Sequence, residues 1–270
     1  MPELPEVEIV CRALSSQILG KTILDIEVNR YDLRVPVTQN LCDIAVNSSV
    51  FQVLRKGKYI VLVLSNQYYL VIHLGMSGNL IYSESYIKQK KHNHVIFHFS
   101  NNNLLIFNDP RRFGIVILLT YSQYIEFFKN FGVDALSDEF NTNYLYNTSN
   151  KRCTIKSLLM NNKFVTGIGN IYSTESLFLA GIAPNRFVKD LSIIECNNII
   201  DGVKNILLYS IENGGSSIKD YTSPFGIRGT FQNHFLVYNR TRQQCYKCNS
   251  SILVIKQNGR STFFCPYCQL

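Results

Sequence analysis

The sequence contains no apolar run long enough to cross a membrane as a helix. The longest runs, such as Tyr59–Leu64, have the length of a strand. The start of the chain also lacks the basic residues and apolar segment of a secretory signal, because Glu3, Glu6 and Glu8 stand there. We therefore expect a soluble cytoplasmic protein with no membrane partner, whose cysteines are thiols or metal ligands rather than a disulfide framework.

Internal repeats and low-complexity linkers are also missing, and acidic residues are fewer than basic ones. The 270 residues include 27 Lys and Arg against 19 Asp and Glu, which gives a net charge of +8. With 46% hydrophobic and 17% charged residues, the chain can bury a sizeable core, and its length suits two domains plus a small module. The basic balance favours a polyanionic partner only modestly, since a biased genome can also enrich Lys alongside Asn, Ile and Tyr.

The first half of the chain has the periodicity of one helix followed by strands. Apolar residues recur at spacings of three and four over residues 2–19, which predicts a helix that Gly20 ends. From residue 22 to about 119 the period changes to two, and turn signals separate the runs. This pattern predicts a β-sandwich or flattened barrel. The alternating apolar positions include Leu24, Ile26, Val28, Val95, Phe97 and Phe99.

The second half is predicted to be mainly helical. Ser192 and Glu195 have the spacing of a capping box, and the helix that follows has one apolar face. Gly214 and Gly215 are expected to stop it. That face is formed by Cys196, Ile200, Val203 and Leu207. Short strands return from about Phe231, so the expected fold class is α+β with several domains.

Two cysteine pairs near the end of the chain form a metal-binding pattern. Sixteen residues separate the pair Cys245 and Cys248 from the pair Cys265 and Cys268. Four thiolates at this spacing predict a closed tetrahedral site for one structural Zn²⁺, with a redox pair or buried thiols as the alternatives. Such a module is too small to fold by apolar burial alone, so metal binding would supply its folding energy. The basic residues on the module suit phosphates and are Arg240, Arg242, Lys247, Lys256 and Arg260.

The start of the chain combines an amine with a carboxylate. If Met1 is removed, Pro2 presents a secondary amine beside Glu3. An α-amino group has an ordinary pKa of about 7.7–8.0, so part of it is neutral and nucleophilic near pH 7. A secondary amine that attacks a sugar C1′ forms an iminium, which is covalent catalysis of the Schiff-base type. Taken alone, however, the same residues favour a proline-rich helix start with an acidic first turn.

The start of the chain and four internal motifs occur together with the cysteine pairs in one order. This order is that of the formamidopyrimidine-DNA glycosylase family, which the chain resembles over essentially all 270 residues. The segments are Pro-Glu-Leu-Pro-Glu-Val-Glu at 2–8, Arg-Lys-Gly-Lys-Tyr at 55–59, His-Leu-Gly-Met-Ser-Gly at 73–78, Asp-Pro-Arg-Arg-Phe-Gly at 109–114 and Gly-Ile-Gly-Asn-Ile-Tyr at 167–172.

The resemblance implies a bifunctional DNA glycosylase and AP lyase of base excision repair. Such an enzyme flips and removes 8-oxoguanine and formamidopyrimidines, then cleaves the strand by β,δ-elimination. Pro2 would be the nucleophile that forms the Schiff base, and Glu3 the acid/base that helps to open the deoxyribose. Lys58 would contact the phosphate near the lesion and assist proton transfer. Arg260 would bind phosphate and support the elimination steps.

The resemblance also implies a set of DNA contacts. Met76, Arg111 and Phe113 would fill the gap left by the extruded base, with Arg111 facing the orphaned partner. Asn170, in the turn of a helix–two-turn–helix motif, would hold the backbone beside the lesion. The other matching positions are His92 and Arg152 at the DNA backbone, Lys219 and the loop 221–230 over the damaged base, and Glu6 and Glu175 near the lesion pocket or simply on helix surfaces.

The resemblance divides the chain into three domains and leaves three alternatives. The domains are a catalytic β-sandwich over 1–130, a helical DNA-binding domain over 131–232 and a zinc-ribbon hairpin over 233–270. One alternative is an oxidised-pyrimidine glycosylase of the same superfamily, and the others are a non-catalytic nucleic-acid binder and a metal-scaffolded protein adaptor. The expected partner is damaged double-stranded DNA. We expect no protein partner, a monomer and association with the bacterial nucleoid.

Overall fold

A computed structural model of the chain describes residues 1–84, 91–148, 152–217, 224, 226 and 228–270. The chain packs as two compact units, of which the first contains 1–130 with 213–230 and the second contains 131–212 with 231–270. The second unit thus includes both the helices and the cysteine hairpin. The division into three domains stays a prediction. Within the described ranges, no helix is both long enough and apolar enough to span a membrane.

The first unit contains a long helix and two four-stranded antiparallel sheets. One sheet has the strand order β1-β6-β7-β5, and the other has the order β2-β3-β4-β8. The elements are α1 (Leu4–Ile18), β1 (Ile23–Val28), α2 (Leu41–Ala45), β2 (Val50–Lys56), β3 (Tyr59–Leu64), β4 (Tyr69–His73), β5 (Asn79–Ser83), β6 (Asn93–Phe99), β7 (Leu104–Asn108), β8 (Ile115–Leu119) and α3 (Tyr121–Phe128).

Apolar residues of both sheets and of α1 form one core. Val95 and Phe97 of β6, Leu62 of β3 and Val10 of α1 belong to the same buried cluster. Burying a side chain of this size contributes about 1.5–3 kcal/mol each. The alternation in β6 places Ile96 in a separate small cluster on the opposite side of its sheet. The predicted β-sandwich is therefore confirmed.

Strand β1 departs from the predicted alternation at its start. The alternating pattern predicts that Leu24 faces the core, but Leu24 is 54% exposed, whereas Ile23 is fully buried. The pairing with β6 shifts register between Ile23 and Asp25, which is a β-bulge that reverses the side-chain directions. The sequence could not show this bulge because apolar residues stand at both positions.

Helix α1 starts two residues later than predicted and stops where expected. Glu3 is the N-cap in an extended conformation, and it forms a capping box with Glu6. Pro5 lies in the first turn, where a missing N–H costs nothing. Gly20 follows the helix with φ +74°, a left-handed conformation that glycine adopts without strain.

The second unit contains the remaining helices and a two-stranded hairpin. Strands β9 and β10 pair in parallel, and β11 and β12 pair antiparallel. The elements are β9 (Val133–Asp134), α4 (Thr142–Tyr146), α5 (Ile155–Leu159), β10 (Val165–Thr166), α6 (Asn170–Ala180), α7 (Ile193–Glu212), β11 (Leu253–Gln257) and β12 (Arg260–Phe264).

Helix α7 forms where the sequence predicts it. The Ser192 backbone N–H donates to the Glu195 carboxylate at 2.8 Å, and the Glu195 N–H donates to the Ser192 hydroxyl at 3.2 Å. This reciprocal pair is the predicted capping box. The predicted apolar face is buried, and the helix stops just before Gly214 and Gly215, which have φ values of +76° and +72°.

Candidate functional site

The first residues of the chain are buried at the start of α1. Pro2 is buried, and Glu3 is 3% exposed. The Glu3 backbone N–H donates to Oε2 of Glu6 at 2.8 Å. Oε1 of Glu6 accepts hydrogen bonds from the Ser216 backbone N–H at 2.8 Å and from its hydroxyl at 3.0 Å. Glu6 is therefore a buried carboxylate that joins residue 3 to the segment around Ser216, rather than a helix-surface acid.

Lys58 lies in the tight turn between β2 and β3. Gly57, with φ +58°, allows the left-handed backbone of this turn. Arg55 donates from Nη1 to the Gly57 carbonyl at 3.3 Å and from Nε to the Glu8 carboxylate of α1 at 2.8 Å. The turn is thus tied to the helix that carries Glu3. Lys58 itself is only 8% exposed, although lysine usually extends into solvent.

Met76 and Phe113 lie on two neighbouring turns of the first unit. Both apolar side chains are 43% exposed. A Cβ atom at Gly75 would lie 2.5 Å from the Phe113 carbonyl carbon, so glycine is needed for the close approach of the two turns. The guanidinium of Arg111 lies 5.0 Å from the centroid of the Phe113 ring. The structure therefore brings these three predicted residues together.

His73 ends β4 and begins the motif at 73–78, although the resemblance implies no role for it. Its Nδ1 accepts a hydrogen bond from the Gly75 N–H at 3.0 Å. Burial, together with the positive charges of Lys58 and Arg34, lowers the pKa of His73 to about 4. The ring is therefore neutral near pH 7, with its proton on Nε2.

His92 is half-buried, and its carbonyl accepts the Asp109 N–H at 3.0 Å.

Asn170 is held from two sides within the second unit. Its side-chain oxygen accepts a hydrogen bond from Lys156 Nζ at 2.6 Å, and its Nδ2 donates to the Ser261 carbonyl of β12 at 3.0 Å. Lys156 Nζ also donates to the Thr262 hydroxyl at 2.6 Å. Lys156 is only 2% exposed. No sequence signal distinguishes Lys156, because a lone lysine in a short helix is ordinarily a surface residue.

Arg260 and Arg152 are exposed residues of the second unit. Arg260 begins β12, and its Nη1 lies 3.9 Å from the sulfur of Met160. It lines a cavity of about 250 Å³ together with Lys156 and Asn258. Lys219 lies outside the described residues, as does half of the predicted loop 221–230, of which positions 224, 226 and 228–230 are described.

Glu175 is a buried anchor rather than a surface acid of α6. It is fully buried, and its oxygens accept the backbone N–H groups of Leu236, Val237 and Tyr238 at 2.7, 3.0 and 2.7 Å. Burial raises the pKa of Glu175, while the three N–H groups oppose that rise. Glu175 therefore fixes the segment that leads into the cysteine hairpin.

The four predicted cysteines meet beside the β11–β12 hairpin. Their sulfur atoms all lie within 4.8 Å of one another. Cys245 and Cys268 are 3.8 Å apart, and Cys248 and Cys265 are 3.4 Å apart. Sulfurs bound tetrahedrally at about 2.3 Å from one ion would be about 3.8 Å apart. The donor set and its spacing therefore fit a structural metal ion.

Some of the basic residues on this module have structural partners. Arg240 lies 3.6 Å from the centroid of the Tyr246 ring and donates to the carbonyls of Leu236 and Gln244. Lys247 lies 4.8 Å from the centroid of the Phe178 ring. Both cations therefore help to hold the module. Lys247 is nevertheless exposed, as are Arg242, Lys256 and Arg260.

Two family models match the chain. The N-terminal domain of formamidopyrimidine-DNA glycosylase matches residues 1–116, and the H2TH domain of the same enzyme matches residues 131–222. Formamidopyrimidine-DNA glycosylase of Wolbachia pipientis is 49% identical over 270 residues and covers the whole of both chains. The Rickettsia bellii enzyme is 43% identical over 272 residues, covering 100% of this chain and 99% of that one.

Solved structures agree with these matches. A variant of Lactococcus lactis FPG in complex with DNA containing Fapy-dG superposes with a TM-score of 0.92 at 32% identity and covers 99% of both chains. The FPG protein of Thermus thermophilus superposes with a TM-score of 0.88 at 30% identity, covering 99% of this chain and 98% of that one. Together with the fold and the placed motifs, these similarities show that the chain belongs to the formamidopyrimidine-DNA glycosylase family.

Proposed function

We propose that this DNA glycosylase of base excision repair removes oxidised purines through a Schiff base on Pro2 and then cleaves the strand by β,δ-elimination. The observation that carries the proposal is the buried start of α1, where Pro2 and Glu3 lie together and Glu6 binds the Glu3 backbone. Glu3 also caps α1, and its position directly after Pro2 supports a second role as the acid/base beside the amine.

The proposed chemistry begins after removal of Met1, when the Pro2 nitrogen becomes a secondary amine. The positive end of α1 disfavours its protonated form. The amine attacks C1′, the glycosidic bond breaks, and the base leaves with the bonding electrons and a proton. Glu3 protonates the ring oxygen as the sugar opens to the iminium. Loss of a C2′ proton then expels the 3′ phosphate, and a second elimination expels the 5′ phosphate.

The proposed DNA contacts follow the placed motifs. Met76, Arg111 and Phe113 form one exposed group, which suits a wedge that offsets the cost of flipping a base. In the second unit, Asn170 and Arg260 offer donors to phosphates. We assign backbone contacts to His92, Arg152 and Lys58, and contact with the damaged base to Lys219.

The metal of the cysteine cluster is proposed to be one Zn²⁺, bound by Cys245, Cys248, Cys265 and Cys268. Four thiolates select zinc, which supplies folding free energy to the hairpin rather than chemistry at the sugar. We further propose that the protein acts as a monomer in the cytoplasm, at the nucleoid, without a protein partner.

Oxidised pyrimidines are a second candidate substrate. A structure of wild-type Lactococcus lactis FPG contains DNA with an oxidised pyrimidine. At least one relative therefore forms a complex with DNA that contains such a base. The purine assignment is consequently tested against a pyrimidine lesion in the same experiment.

Borohydride trapping tests the proposal directly. Untagged protein is incubated with a duplex that carries 8-oxoguanine opposite cytosine, and the expected covalent adduct maps to Pro2. Protein that retains Met1 is expected to give no adduct, because the amine is then a peptide nitrogen. Glu3→Gln is expected to bind the lesion without turnover. An adduct only with the oxidised pyrimidine would change the substrate class, and metal-loaded protein that binds DNA without any adduct would contradict the mechanism.

A further inference from the structure

Asp109 is a fully buried carboxylate that the proposed chemistry does not use. Its Oδ1 accepts hydrogen bonds from the Ser77 hydroxyl at 2.6 Å and from the Arg111 backbone N–H at 3.2 Å. Its Oδ2 accepts the Gly114 backbone N–H at 2.8 Å. One carboxylate therefore joins the turn around Ser77 to both ends of the segment 111–114.

The two joined turns carry all three proposed wedge side chains. Met76 directly precedes Ser77, and Arg111 and Phe113 lie within the segment that Asp109 encloses. The Ser77 oxygen also accepts the Arg111 N–H at 3.2 Å, so the hydroxyl and the carboxylate share one donor. We call Asp109 and Ser77 the carboxylate clamp.

The backbone of Asp109 is fixed in turn by the neighbouring histidines. The Asp109 N–H donates to the His92 carbonyl at 3.0 Å, and the Asp109 carbonyl lies 2.7 Å from Nε2 of His94. The carboxylate therefore projects from a backbone that is fixed by hydrogen bonds, and it binds the two turns. Charge-assisted hydrogen bonds of this kind are roughly twice as strong as neutral ones.

A wedge needs such support because it works against base stacking. Flipping a nucleotide costs a few kcal/mol, and exposed side chains on loosely held turns would move aside instead of keeping the gap open. A buried charge is costly unless it is well hydrogen-bonded, so a neutral residue would suffice if the turns needed only packing.

We propose that Asp109 is a positioning residue that fixes Met76, Arg111 and Phe113 in the geometry that fills the gap left by the extruded base. This inference rests on the proposed wedge role of those three side chains. Asp109→Asn keeps the size of the side chain but replaces one acceptor with an NH₂ group, so the clamp loses the hydrogen bonds that one of its two oxygens accepts.

The test compares two DNA substrates with untagged, metal-loaded protein. Elimination is measured on a duplex abasic site and on a single-stranded abasic oligonucleotide, which has no partner strand to displace. Asp109→Asn is expected to lower the ratio of duplex to single-stranded rate by about tenfold, which corresponds to about 1.4 kcal/mol. A 2-aminopurine next to the duplex site, whose fluorescence rises on unstacking, is expected to show a reduced amplitude at saturating protein.

Two further variants keep the test decisive. Ser77→Ala removes one arm of the clamp while the Gly114 hydrogen bond remains, so it is expected to shift both readouts in the same direction even if Asp109→Asn folds poorly. Asp134→Asn is the matched control, since this carboxylate accepts the Leu136 backbone N–H at 3.1 Å in a turn of the second unit. The control is expected to leave the rate ratio and the fluorescence amplitude unchanged.

The outcomes separate the inference from the function on which it rests. Wild-type ratio and amplitude in both clamp variants, alongside a reduced amplitude in Met76→Ala and Phe113→Ala, would overturn the inference alone. Equal losses on both substrates would also overturn it, because a purely structural role predicts that result. If Met76→Ala and Phe113→Ala change nothing, the wedge assignment fails and the inference fails with it. If the wild-type protein performs no elimination on either substrate, the proposed lyase chemistry is wrong.

Discussion

The two compact units hold their predicted DNA-contacting side chains with buried charges of opposite sign. In the first unit, the Asp109 carboxylate accepts backbone N–H groups from the turns that carry Arg111 and Phe113. In the second unit, the Lys156 ammonium donates to the side chains of Asn170 and Thr262. Both charged groups are almost completely removed from solvent.

The difference follows from what each unit has to hold. Irregular turns present backbone N–H groups that need an acceptor, and a carboxylate with two oxygens can bind several of them. Asn170 begins a regular helix, so its backbone is already ordered and only its side-chain oxygen requires a donor. The sign of a buried charge near a functional residue therefore indicates whether a loop or a single side chain is being positioned.

Removal of the metal is expected to have the largest effect, and it should affect the second unit but not the first. Binding of structural zinc contributes on the order of 10 kcal/mol to the folding of small modules, so Cys265→Ser is expected to unfold the β11–β12 hairpin. Asn170 then loses Ser261, and Lys156 loses Thr262, so DNA affinity should fall together with metal content. Metal analysis, duplex binding and hydrogen exchange of the sheets measure the effect, and the sheets of the first unit are expected to stay protected.

Cys153→Ser is the matched control for the cysteine substitution. Cys153 is a half-buried thiol outside the cluster, so the variant should keep both the metal and the affinity. Tight DNA binding by metal-free Cys265→Ser protein would show that the hairpin does not hold Asn170 in place.

A smaller effect is expected from protonation of His73 in the first unit. The folded pKa is lowered to about 4 from the ordinary 6.5, so the unfolded state binds more protons between these values. Stability is therefore complete above pH 6.5 and is lost as the pH falls toward 4, by on the order of 3 kcal/mol at 1.36 kcal/mol for each pKa unit. Hydrogen exchange of the β4 amides against pH measures this loss.

His73→Gln is expected to flatten that pH dependence, and His98→Gln provides the control. His98 is a histidine of the other sheet, and its Nε2 pairs with Glu27 at 2.7 Å on a partly exposed surface. Its replacement should leave most of the pH dependence in place. An equally steep loss of protection in His73→Gln would assign the effect to another group.

The sequence predicted the regular parts of the fold and the exposed motif residues, but not the buried charges that hold them. Alternation and capping signals placed α7 and the sandwich because burial and helix caps depend on local spacing. Asp109 appeared only as the first letter of a motif, and Lys156 had no motif role. Their partners Ser77 and Thr262 are distant in sequence and become neighbours only in the folded chain, so local spacing carries no signal for them.

The smallest expected effect is the loss of DNA affinity when Lys156 is replaced. It tests whether the buried lysine positions Asn170 in the second unit as the buried carboxylate does in the first. Lys156→Met keeps a long side chain but removes the donors to Asn170 and Thr262. A hydrogen bond to a charged group contributes about 1.5–3 kcal/mol, and the orphaned oxygens can recover part of this from water, so duplex affinity should fall about tenfold. Lys163→Met, the loss of an exposed lysine in the same unit, is the control for the change in net charge.

Salt dependence distinguishes positioning from direct phosphate contact in this variant. A lysine that neutralises a phosphate contributes roughly one unit to the slope of log affinity against log salt concentration. Since Lys156 is buried beneath Asn170, its loss should lower the affinity at every salt concentration and leave that slope unchanged. A slope reduced by about one unit would mean that Lys156 itself contacts a phosphate. The buried charge of the second unit would then bind DNA directly, whereas Asp109 of the first unit only positions other residues.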